Sequence, residues 1–183
     1  MLTIGWLFVS HEVLGDNEPT LVVADGDTTT FGLIDELSAE VGKHAPNFVL
    51  PSLEGEPIHN EDFRGKTLVH KFWASWCPPC RAEIPDFQEL WDERREQDDL
   101  TILAVDFLKE DTVAAAAGFV NEFGLTFPVA TDTSDGNVAE RFGVRGLPAT
   151  FFIDRDGILR KISLGAVFEN LLPEGVAAAD NAA

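Results

Sequence analysis

The chain has 183 residues, 45% of them hydrophobic, which is enough to bury one good core; one domain with extensions is the expected count. Its 32 acidic residues against 13 basic ones give a formal charge of −19, which argues against nucleic acid and anionic membrane surfaces as partners. That balance fits a high-salt habitat or a basic partner instead.

Residues 1–42 contain no Lys or Arg, so the positive start of a signal peptide is missing. The run from Met1 to Val9 is apolar but too short to span a bilayer. This segment reads as an N-terminal extension or linker, or as the end of a membrane anchor that begins upstream. Residues 10–40, acidic with Gly and Thr clusters, read as mostly irregular, with a short strand at 20–24 and a short helix at 33–41. The organised domain is expected over 43–172, followed by a flexible, Ala-rich tail over 173–183.

Residues 48–53 and 56–59, joined at Glu54-Gly55, read as a β-hairpin. A helical turn at 60–63 closes at Gly65. The stretch 67–74 is mostly apolar, as a central strand covered on both faces should be. It leads into Trp76-Cys77-Pro78-Pro79-Cys80, which holds both cysteines of the chain, and an amphipathic stretch follows over 81–97.

Strand, Cys-x-x-Cys, helix is the layout of a thiol–disulfide site. A thiolate at a helix N-terminus is stabilised by the helix dipole and by free backbone N–H groups. Cys77 is therefore expected to attack and Cys80 to resolve the mixed disulfide. A zinc site needs four ligands, and His11, His44, His59 and His70 are scattered without ligand spacing, so no metal and no other cofactor is expected. A structural bridge usually closes a longer loop than this one.

Pro78 and Pro79 suit a first helical turn, whose N–H groups have no intrahelical partner. Ile84, Phe87, Leu90 and Trp91 recur at helical spacing and should face a sheet. Pro85 should kink this helix, and Glu89, Asp92, Glu93, Arg94 and Arg95 should lie on its wet side. A strand is expected over 100–108. A helix follows over 112–123, with Val113, Ala117, Val120 and Phe123 on one face and Gly124 as its stop. Next come a strand at 127–130, a helix at 136–142 ended by Gly143, and a hairpin of 149–153 and 158–164 around Asp154-Arg155-Asp156-Gly157. A last helical turn falls at 167–172. This order predicts an α/β fold: a mixed central sheet with helices on both faces and an N-terminal β-hairpin.

Several fragments in this order resemble the thioredoxin superfamily, and within it the TlpA/ResA-like branch that pools with redoxin and AhpC/TSA-type domains. They are Ala45-Pro46-Asn47-Phe48, the run from Phe72 through Cys77 and Cys80 to Glu83, Pro85, and the run from Gly146 through Pro148 to Asp154. The resemblance implies a thioredoxin-like fold and a thiol–disulfide oxidoreductase acting outside the cytoplasmic membrane. It implies protein disulfide substrates, apocytochrome c among them, and recharging by a membrane electron donor. Pro148 matches the family's cis proline, which would set the Leu147 backbone beside the sulfurs, with Trp76 as the other side of a substrate platform. Glu83 matches an acid that lies near the cysteines in ResA-like proteins. Two departures stand out. Lys71 occupies a position that usually carries Asn or Asp, and the C-terminal helix looks truncated after Leu172.

Lys71 is expected beneath the cysteines, paired with Glu83, the pair tuning the thiol pKa and moving a proton. The alternative is a Lys71 that snorkels to the sheet edge and a solvated Glu83. Two other functions compete. A peroxiredoxin-like peroxidase would carry Thr or Ser three residues before its cysteine, where this chain has Ala74. A copper-binding maturation module would need two sulfurs and a His converging on the metal, and His70 on the feeding strand is the available His.

Overall fold

A computed structural model describes residues 39–168 and 170–181. The strand expected at 20–24 and most of the helix expected at 33–41 lie outside the described residues.

Five strands form the main sheet: β3 (Thr67–Trp73), β4 (Leu100–Asp106), β5 (Val129–Thr131), β6 (Ala149–Ile153) and β7 (Leu159–Leu164), in the order β5-β4-β3-β6-β7. β3 pairs parallel with β4 and antiparallel with β6, and β4 pairs parallel with β5. The parallel pairs are those joined through helices, as the length of a crossover requires. The antiparallel β6–β7 pair closes over the Asp154–Gly157 turn, where Asp154 accepts the N–H groups of Asp156 and Ile158. A separate hairpin joins β1 (Val49–Pro51) to β2 (Pro57–His59).

Alternation along the strands divides the core in two. Val69, Trp73, Ile102, Ala104 and Phe152 face one side, together with both cysteines. That side is covered by α1 (Pro78–Arg94) through Ile84 and Phe87, by α2 (Val113–Phe123) through Ala116 and Phe119, and by α4 (Leu171–Asp180) through Leu172, Val176 and Ala179. Leu68, Phe72, Leu103, Val105 and Phe151 face the other side. There the cover is α3 (Asn137–Arg141) with Phe142, and Phe48 and Leu50 from the first hairpin. The fold is thus the expected mixed sheet with helices on both faces.

Four expectations need correction. The strand expected to run to 108 stops at Asp106, where its partner β3 ends at Trp73 and, after Phe107, a 3-10 turn, Leu108–Glu110, follows. The fully buried residues of α2 are Ala116 and Phe119; of the face expected there, Val120 and Phe123 pack partly buried against the same core, whereas Val113 does not. The Phe119 ring packs 4.3 Å from Trp73 and sets that rotation, which leaves Val113 exposed. Arg94 is not on the wet side: it bonds Asp99 and Asp180 at 2.7 and 3.1 Å. Finally, residues 173–180 are no frayed tail and the last helix is not truncated. Small residues let α4 come close to the sheet, so that a Cβ added to Gly175 would lie 2.2 Å from the Phe152 ring.

Candidate functional site

β3 delivers its C-terminal end to the first turn of α1, so the two cysteines sit where strand hands over to helix. Pro78 and Pro79 are the first two residues of α1 and are exposed; neither position needs an N–H. The helix continues past Pro85 to Arg94. Cys77 is the N-cap residue, and its Sγ accepts the Cys80 N–H at 3.3 Å. The two sulfurs are joined in a disulfide, with Cα atoms 5.3 Å apart. Cys77 is 2% exposed and Cys80 wholly buried, so Cys77 is the more accessible, by a small margin.

Trp76 projects from the surface, 50% exposed, and its indole N–H donates to the Glu110 carbonyl at 2.7 Å. It is therefore an anchored exposed ring rather than a core aromatic. The Leu147–Pro148 peptide bond is cis. Pro148 is buried, its carbonyl accepts the Gly165 N–H at 2.9 Å, and Leu147 packs partly buried against the core that contains both cysteines.

Lys71 and Glu83 are both fully buried and form a direct hydrogen-bonded ion pair. Neither snorkels nor meets solvent. The strand period puts Lys71 on the cysteine side of β3, and its ammonium lies 4.4 Å from the Phe87 ring centroid. The other Glu83 oxygen accepts the Val167 N–H at 2.6 Å, so this carboxylate links β3, α1 and the segment before α4. Burial pushes the Lys71 pKa down, and the charge and hydrogen bond of Glu83 oppose that.

His70 points the other way. It lies against Phe48, Phe72 and Phe142 on the far face of the sheet, and among the described residues neither ring nitrogen has a partner. It does not converge on the sulfurs as a copper triad would require, and among the described residues no group of three or more His, Cys, Asp or Glu is arranged to hold a metal.

Ser75, Arg81, Glu110 and Asp111 are not among the predicted site residues, yet they fix the approach to Cys77. Asp111 accepts both the Ser75 N–H, at 2.6 Å, and the Ser75 hydroxyl, at 2.9 Å. Arg81 donates to the Ser75 carbonyl at 3.4 Å, pairs with Glu122 and lies over the Phe119 and Phe123 rings at 5.4 and 5.0 Å. The one sequence signal for Asp111 is its place before the Thr112 N-cap of α2.

Residues 41–162 match the AhpC/TSA family. A "Thiol-disulfide oxidoreductase ResA" of Bacillus thuringiensis subsp. konkukian (strain 97-27) is 42% identical over 122 residues, 67% of this chain and 68% of that one. A protein of the same name from Geobacillus thermodenitrificans (strain NG80-2) is 38% identical over 148 residues, 80% of this chain and 83% of its own. Among solved structures, a secreted Mycobacterium tuberculosis disulfide oxidoreductase homologous to E. coli DsbE superposes with a TM-score of 0.62 at 28% identity, over 72% of this chain and 95% of that one.

Proposed function

This chain belongs to the AhpC/TSA family and is a thiol-disulfide oxidoreductase, and on that premise we propose that Cys77 and Cys80 are its redox pair and that it reduces disulfides of proteins outside the cytoplasmic membrane. The observation that carries this reading is the Cys77–Cys80 bond at the head of α1, with Cys77 at the N-cap. In the reduced protein the Cys77 thiolate attacks one sulfur of a substrate disulfide. A mixed disulfide forms and the other substrate sulfur leaves with the electron pair, to be protonated. Cys80 then gives up its proton and attacks Cys77 Sγ, the second substrate thiol leaves, and the protein is left oxidised at 77–80. Two electrons have passed to the substrate, and a membrane electron donor restores the dithiol.

The helix dipole and the Cys80 N–H favour the Cys77 thiolate. A charged Lys71 favours it too, while Glu83 opposes it and is the candidate for moving the Cys80 proton. Trp76 and the Leu147–Pro148 segment are the platform for the substrate chain, and Pro78 and Pro79 shape the exposed rim between them. Apocytochrome c is the proposed substrate within the class. The extracytoplasmic location is inferred from the relatives' kind; among the described residues no helix is long and apolar enough to cross a membrane.

Cys80→Ser should trap mixed disulfides through Cys77. Trapping by Cys77→Ser and its loss in Cys80→Ser would reverse the assignment. Lys71→Asn should raise the Cys77 pKa in a thiolate absorbance titration, and an unchanged pKa would remove Lys71 from the tuning of the site.

A further inference from the structure

Three carboxyl groups gather where the sheet meets the loop into Cys77. Asp106 ends β4 opposite Trp73, on the face it shares with Ile102, Ala104 and the cysteines. It is wholly buried, and neither of its oxygens meets a donor among the described residues. The titratable groups that face it are Asp111, from the turn after β4, and Asp132, just beyond β5; both are acids. Asp132 is committed to α3, where it accepts the Val138 and Ala139 N–H groups at 3.1 and 2.8 Å. Asp111 is committed to the site loop through its two bonds from Ser75, and it also accepts the Thr112 N–H at 2.8 Å. The same turn receives the Trp76 indole at Glu110. Both residues before Cys77 are therefore held from residues 110 and 111.

Two adjacent carboxyls, one wholly buried and the other half-buried, cannot both ionise without cost. Asp111 is surrounded by donors that favour its charged form, whereas Asp106 has none. The proton belongs on Asp106, and the acceptor beside it is Asp111. Burial first, and then the Asp111 charge, push the Asp106 pKa from 3.8 up to about 8. Burial also pushes Asp111 upward, but its Ser75 and Thr112 donors outweigh that and leave it below the ordinary value.

We propose that Asp106 and Asp111 form one positioning unit for the Ser75-Trp76-Cys77 loop, in which Asp106 donates its proton to Asp111 and Asp111 holds Ser75. The inference rests on the reading of Cys77 as the attacking thiol. Loss of the shared proton sets two negative charges side by side behind Ser75 and loosens the hold on the loop. The unit makes the geometry of the attacking residue depend on alkaline pH without either carboxyl touching sulfur.

The test uses the full chain in its oxidised form, in which no thiol titrates. The side-chain carboxyl carbon of Asp106 and the amide of Ser75 are followed by NMR against pH. The expected result is a shared alkaline inflection in the wild type and a flat Ser75 amide in Asp106→Asn, which keeps an N–H donor toward Asp111 but cannot ionise. Reduction of the disulfide by dithiothreitol, normalised to the reagent's thiolate, should slow above that inflection in the wild type only. Asp111→Asn should slow it at every pH by up to about tenfold, the scale of one hydrogen bond to a charged group. Asp106 titrating in the ordinary carboxylate range, or a Ser75 amide that ignores it, overturns the proposal; the wild-type titration decides this even if a variant fails to fold. A wrong assignment of the attacking thiol would show instead as adducts on Cys80, with the titration unchanged.

Discussion

His70 offers a direct measure of what burial costs in this core. The ring is fully buried, its centroid 4.9, 4.7 and 4.7 Å from those of Phe48, Phe72 and Phe142, and neither nitrogen has a partner among the described residues. Burial pushes its pKa from 6.5 to about 3, so the folded state keeps it neutral where the unfolded chain takes up a proton. The unfolded state therefore binds the extra proton between those two values, and stability falls as pH drops through that window. Between about pH 7.5 and about pH 5 the loss is ~2 kcal/mol, from roughly 1.5 pH units below the unfolded pKa at 1.36 kcal/mol each. His70→Leu removes the titration and keeps an apolar side chain against the three Phe rings. Urea unfolding of both proteins at the two pH values isolates the term, because carboxylate effects are common to both. The wild type should lose ~2 kcal/mol more than the variant on acidification. An equal loss in the two proteins would mean that His70 is hydrated or partnered, and the reasoning would fail.

The Lys71–Glu83 pair should behave as a buried pair does: Lys71→Met costs about 3–5 kcal/mol because Glu83 stays buried without its cation, whereas Lys71→Met with Glu83→Leu recovers most of it. A double-mutant cycle by chemical denaturation that shows no coupling would contradict this. Gly175→Ala should destabilise by about 1–3 kcal/mol in thermal melts, since the new methyl meets the Phe152 ring. Asp106→Asn should stabilise the protein at neutral pH. With a folded pKa of about 8 against 3.8, the folded wild type holds an extra proton across that window and loses stability as pH rises through it. The variant's advantage should grow to as much as ~4 kcal/mol near pH 7, and equal stability differences near pH 4 and pH 8 would refute the assignment.

What was legible in the sequence was local. The Cys-Pro-Pro-Cys run, the hairpin around Asp154–Gly157 and the apolar run of β3 each declare themselves within a few residues. The rest depends on partners remote in the chain. Arg94 looks like any helix-surface Arg until Asp180 is brought to it. The Ala-rich run of α4 reads as weakly structured because its value lies in being small against Phe152. Asp106 resembles an acid that ends a strand, and its meaning comes from the two acids it faces. Strand alternation puts His70 with Leu68 and Phe72, and Asp106 with Ile102 and Ala104, a pattern that mostly apolar strands covered on both faces do not show in sequence.

The last helix has a consequence for how the chain is made. Asp180 bonds Thr67, 113 residues earlier, and Glu83 waits for Val167, 84 residues later. At about 5–20 residues per second, a ribosome delivers the cysteines several seconds before α4. During that interval β3 has its β4 neighbour but no β6, and the cysteine face lacks one of its three helices. Both cysteines are therefore made before the helix that covers their face. Three residues of separation and no other cysteine in the chain mean that a nascent oxidation has one intramolecular product, and it is the native one.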